Sequence, residues 1–93
     1  MNIGLVIGRV IATRKDERLV GTKLLITHPI DLEGRLSGQP LVTVDTVGAG
    51  IGEKVIFVSG SMAARAIHQK EAPVDAAIVG IIDQVEIHKP SEG

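Results

Sequence analysis

Apolar and polar positions alternate along this chain in short β-branched runs, separated by clusters of glycine, proline or charge. The first run spans Asn2 to Thr13 and predicts a strand of unusual length. Ile3, Leu5, Ile7 and Ile11 share one face; Gly4, Val6, Gly8, Val10 and Ala12 share the other, so both faces are apolar and one is small. Interior glycines in a strand signal bulges, bends or close backbone approach, which fits a bent barrel strand. After the charged turn Arg14–Arg18, the run Leu19–His28 predicts a second strand that stops at Pro29 and forms a hairpin with the first. Asp31–Pro40 carries the Gly, Ser, Pro and charge content of an exposed, mobile excursion. Leu41–Val44, ending at Asp45, and Lys54–Val58 predict a third and a fourth strand. Ser61–His68 predicts a helix of at most two turns, capped by Ser59 or Ser61 and ended by Gln69–Pro73. Asp75–Ile87 predicts a fifth, long strand, followed by a fraying tail over 88–93.

Five strands with one short helix between the fourth and fifth imply a mainly β fold, a small closed or partly open antiparallel barrel. A lone barrel of this size hides only its inward face. Strands apolar on both faces therefore predict further burial, in an obligate homo-oligomer.

Composition narrows the classes. The 93 residues amount to one domain over 1–93, with 44% hydrophobic residues but a single aromatic, Phe57, so the core is aliphatic. No apolar stretch approaches the ~20 residues of a membrane span. The start Met1-Asn2-Ile3-Gly4 lacks a basic leader region, so a cytoplasmic location without membrane association is expected. The chain has no cysteine, which removes disulfides, thiolate nucleophiles and cysteine metal sites. A net charge of −1 with interspersed signs offers no broad basic field. Single-strand nucleic-acid binding needs stacking aromatics on a basic groove. Neither is present, and no nucleic-acid partner is expected.

The most distinctive text runs from Asp45 to Arg65. Glycines at 48, 50 and 52 invite a phosphate-cradle reading, yet the G-x-G-x-x-G spacing is missing and a strand follows where that fingerprint needs a helix. A tight or crowded loop is the simpler reading. Ser59, Ser61, His28, His68, His88 and Asp45, Asp75 or Asp83 supply parts for a hydrolase triad, but no G-x-S-x-G surrounds either serine. The histidines lack metal-ligand spacing, so no metal or cofactor is expected. Asp45 at a strand end suits an Asx-turn bond better than a general base, and Arg65 suits an interface ion pair better than an anion site.

The motifs Asp45-Thr46-Val47-Gly48-Ala49-Gly50, Gly52-Glu53-Lys54-Val55, Ser59-Gly60-Ser61 with Ala64-Arg65, and Pro73–Asp83 together resemble the EutN/CcmL family of bacterial microcompartment vertex proteins, known from carboxysomes and from ethanolamine- and propanediol-utilisation compartments. The resemblance covers nearly the whole chain. It implies an oligonucleotide-binding-type (OB-like) barrel assembled as a homopentamer that caps the vertices of a polyhedral shell among hexameric shell proteins, a structural role rather than an enzyme's. It also implies that Gly48, Ala49 and Gly50 lie near the ring axis and that Ser59, Gly60, Ser61 and Arg65 lie near subunit contacts. On that placement, a bulky charged residue at Ala49 would disturb the axis and leave the barrel folded. The alternative reading is an oligomeric barrel that binds a small ligand or anion through the glycine loop and Arg65.

Overall fold

The computed structural model describes residues 1–67 and 74–88. Its strands are β1 (Asn2–Val10), β2 (Lys23–Pro29), β3 (Leu41–Asp45), β4 (Lys54–Ser59) and β5 (Ala76–Ile82), with one short helix, α1 (Ser61–Ala66), between β4 and β5. They close a barrel in the order β1-β2-β3-β5-β4, with β4 returning to β1. Every seam is antiparallel except β3–β5, which is parallel and only two pairs long, Val44↔Ala77 and Asp45↔Ile78. The fold is the expected mainly β, five-stranded barrel of oligonucleotide-binding type.

The small face of β1 turns inward and the large face outward. Gly4 and Val6 are buried, whereas Ile3 and Leu5 are partly covered and Ile7 is 46% exposed. Geometry explains the choice: Gly4 pairs with Pro29 on one side and Val55 on the other, at a point where a Cβ would stand 2.5 Å from the Thr27 Cγ2 atom. Gly8 follows a bulge, since Val6 faces Thr27 while Gly8 faces Ile26, leaving Ile7 as the extra residue. A second bulge places Ile56 opposite Gly80 and Phe57 opposite Ile78. Bulges of this kind bend strands around a barrel.

Two clusters form the core. Val6, Leu25, Ala49, Val55, Phe57, Ala76 and Ile78 fill the barrel. Outside it, Val44, Val58, Ala63, Val74 and Ala77 pack beneath α1. The interior also holds two hydroxyls, Thr27 and Thr43, bonded to each other at 2.9 Å, with Thr43 donating to the Leu25 carbonyl. Both polar groups are thus satisfied, as burial requires.

Several boundaries differ from expectation. β1 ends at Val10 because its last partner is Leu24; residues 11–22 form the connection instead of further strand. Leu19 belongs to a 3-10 turn, Glu17–Leu19, whose N-cap Asp16 accepts the Arg18 N–H. β5 stops at Ile82, not Ile87, because Ile82 already faces Lys54, the first residue of β4, and no strand continues beside it. The helix ends at Ala66; His68 and 69–73 lie outside the described residues, as do 89–93 of the tail. Neither serine caps α1. Gly60 is the N-cap and makes no side-chain bond.

The Asp31–Pro40 excursion carries its own hydrogen-bonded turn. The Asp31 N–H donates to the Arg35 carbonyl, Ser37 N–H donates to the Pro29 carbonyl, and Ile30 bridges Leu36. Asp31 Oδ1 accepts the backbone N–H groups of Glu33 and Arg35, both at 2.9 Å. The Arg35 N–H, aided by the Glu33 N–H and the Arg35 guanidinium, outweighs desolvation and holds the Asp31 carboxyl below the usual carboxylate range. Because the folded group has the lower pKa, its contribution is complete above the ordinary carboxyl value of about 3.9 and is lost as pH falls through the depressed one. Acidification from pH 5 is therefore expected to lower the protection factors of the Glu33 and Arg35 amides, relative to intrinsic exchange at each pH, before it affects barrel amides. Unchanged protection of these two below pH 3 would contradict the assignment.

Candidate functional site

The connection between β3 and β4 is built around Asp45. Its carboxylate, only 2% exposed, accepts the Val47 N–H at 3.1 Å, the Asx-type bond expected from sequence. The same carboxylate pairs with Lys23 at 3.6 Å, and the Lys23 ammonium also donates to the Ala49 carbonyl. Both oxygens of Asp45 are thus committed to the fold, and a general-base role has no support. Thr46 ties the loop to β5, its N–H and its hydroxyl both donating to the Ile78 carbonyl. The far side is tied to β1: Gly52 N–H donates to the Val6 carbonyl and Val6 N–H to the Glu53 carbonyl.

The glycines serve conformation more than contact. Gly48 and Gly52 have φ of 79° and 91°, and a Cβ on either would meet nothing within 4 Å in this chain. Within one subunit, then, the loop is not crowded at these positions; it is turned tightly. Ala49 between them points into the barrel and is fully buried against the interior cluster. This overturns the expectation that a charged residue there would spare the barrel. An anion cradle is also poorly served, because the N–H groups of Val47, Gly50 and Gly52 are taken by Asp45, Glu53 and Val6.

The second candidate region is the corner Ser59-Gly60-Ser61 with Arg65. Gly60 adopts φ 68° and ψ −148°, a conformation that L side chains resist, and this redirects the chain from β4 into α1. Its N–H donates to the Asp75 carbonyl. Ser59, Ser61 and Arg65 are exposed, and Arg65 makes no hydrogen bond or ion pair with another described residue.

Among the described residues, the structure does not bring His28 to the candidate serine Ser59. His28 faces Leu5, and Leu5 faces Lys54, so His28 lies level with the start of β4 while Ser59 ends it. Five residues of strand, roughly 16 Å, separate those levels. His28 bonds the Pro29 carbonyl, and no group of three or more potential metal ligands occurs among the described residues. Nor do the glycine loop and Arg65 converge: Ala49 joins the cluster inside the barrel and α1 the one outside, with the sheet wall between them. Sequence reasoning missed Lys23. It lies 26 residues from the carbonyl it holds, so only the β2–β3 register, Lys23↔Asp45, brings it to the loop.

Known proteins share this arrangement. The chain is 40% identical over 85 residues to the microcompartment shell vertex protein EutN of Salmonella typhimurium, covering 91% of this chain and 86% of that one. It is 41% identical to the carboxysome shell vertex protein CcmL of Gloeobacter violaceus, over 94% and 87% of the two chains. Among solved structures, the GrpN pentameric microcompartment shell protein of Rhodospirillum rubrum superimposes with a TM-score of 0.84 at 48% identity, over 95% of this chain and all of that one. The family described as ethanolamine utilisation protein EutN/carboxysome matches residues 1–83. With barrel, glycine loop and helix corner all within that match, the chain belongs to the EutN/CcmL family.

Proposed function

We propose that this chain forms a ring of five that caps the vertices of a bacterial microcompartment shell, a structural rather than catalytic role. The observation that carries the reading is the outward apolar surface of a barrel whose interior is already full. Ile7 is 46% exposed beside Ile3 and Leu5 on β1, and Val42 and Ile81 add exposed aliphatic surface on β3 and β5. Surface of this kind is normally covered by a partner. The vertex proteins to which the chain is similar supply the geometry. Sixfold tiles alone lie flat, and a fivefold wedge lets a sheet of them curve and close.

In this reading Gly48 and Gly50 present backbone near the ring axis, while the inward Ala49 anchors the loop to the barrel. Ser59, Gly60, Ser61 and Arg65 lie at the contact between neighbouring copies, where the exposed Arg65 guanidinium would find a counter-charge. Hexameric shell tiles are the partners at the rim, through individually weak contacts made strong by repetition. Native mass spectrometry at micromolar concentration tests the proposal. A five-chain mass is expected, and a stable monomer would sink it.

A further inference from the structure

Two features of the fold are each half of an interaction. Beyond β5, residues Asp83–His88 continue without helix or strand structure, with a local hydrogen bond from the Gln84 amide to the Glu86 carboxylate. Val85 and Ile87 alternate with polar neighbours and are 42% and 51% exposed. This is the pattern of a half-buried strand, yet among the described residues no strand pairs with it; only Asp83–Val85 border the Ile30–Gly34 turn of their own chain.

The other half is an open strand edge. The parallel β3–β5 seam involves only Val44 and Asp45 of β3, so among the described residues Leu41–Thr43 pair with β2 on one side and with no strand on the other. Next to that edge lies a groove of about 180 Å³, mainly apolar, lined by Leu19, Leu24, Val42, Val44 and Val74 among others. An open edge above an apolar groove is the setting in which an extended segment adds as a strand.

The chain cannot supply that strand to itself. In the parallel register Leu41–Thr43 lie level with residues 74–76, roughly 20–26 Å back along β5 from Ile82. Val85 and Ile87 are at most about 10 and 17 Å of extended chain beyond Ile82. A second copy has no such constraint. The groove also adjoins the corner assigned above to subunit contacts, since Asp75, which lines it, bonds Gly60.

Building on the proposed ring, we infer that Asp83–His88 of each copy is donated to its neighbour, adding as a strand along the Leu41–Thr43 edge with Val85 and Ile87 seated in the groove. The ring is then laced by exchanged segments as well as by face-to-face contact.

The absence of native cysteine makes the test direct. Val42→Cys is combined with Ile87→Cys, and separately with Val85→Cys, all at exposed positions that the barrel does not need for folding. After mild oxidation, at least one pair is expected to give covalent multimers of up to five chains on a non-reducing gel, while the single variants do not. An intrachain disulfide, or none in either pair, in a sample whose native mass is still five chains would overturn the inference and leave the ring standing. A one-chain mass for the unmodified protein would overturn both. Independently, Val85→Asp with Ile87→Asp should raise the concentration at which the ring dissociates by about tenfold or more, with the far-UV spectrum unchanged. An equally stable ring would count against the exchange.

Discussion

Ala49→Glu is expected to abolish the folded barrel. The side chain is fully buried against Val6, Leu25, Val55, Phe57, Ala76 and Ile78, drawn from four of the five strands. A carboxylate there has no partner, and isolating a charge in such surroundings costs several kcal/mol even after local relaxation. A small domain has on the order of 5–15 kcal/mol to lose, and one of this length sits toward the lower end. Loss of amide dispersion in a proton NMR spectrum is the expected result. Ile51→Glu, at the exposed tip of the same loop, should leave the spectrum folded. A folded Ala49→Glu protein with an unchanged urea midpoint would show that the loop does not plug the barrel.

Gly4→Val is expected to be nearly as damaging for the opposite reason, too much volume. The first added carbon already stands 2.5 Å from Thr27 Cγ2 and 3.1 Å from both the His28 carbonyl oxygen and Phe57 Cε1. Two of those neighbours cannot yield cheaply: the carbonyl is backbone, and Thr27 is fixed by its buried bond to Thr43. Overpacking of this kind costs about 1–3 kcal/mol or more, read as a lower urea midpoint. Gly8→Ala is the matched control. Its Cβ would meet only the Ile26 side chain, at 3.4 Å, which can adjust. Equal losses at the two glycines would rule out crowding at Gly4 as the cause.

The strands were legible because β-branched runs punctuated by glycine and charge leave few other readings, and β3 and β4 fall where that pattern puts them. Strand ends were not. They are set by the partner: β5 could continue by its own pattern through Ile87, and halts where β4 runs out. The two-faced character of β1 was visible, and with it the surplus of outward apolar surface. Which loop residue enters the core was not, because no periodicity governs Ala49. It points inward through a turn held by Asp45, Lys23 and Gly48, residues whose cooperation depends on register. In the same way, Gly60 as N-cap follows from its φ and ψ, which a nearby serine's capping preference disguises.

The strand order has a consequence for how the protein is made. β5 sits between β3 and β4 and is the strand that closes the barrel, yet it follows both in sequence. Until residue 82 has left the ribosome, β1 to β4 can form only an open sheet with β3 and β4 as bare edges, the kind of intermediate that pairs with the wrong chain. Closure is therefore a late event dominated by distant contacts, and such folds form slowly. The exposed aliphatic surface needed for assembly would be displayed throughout that delay. Production of the subunit at modest local concentration would favour correct closure over misassociation.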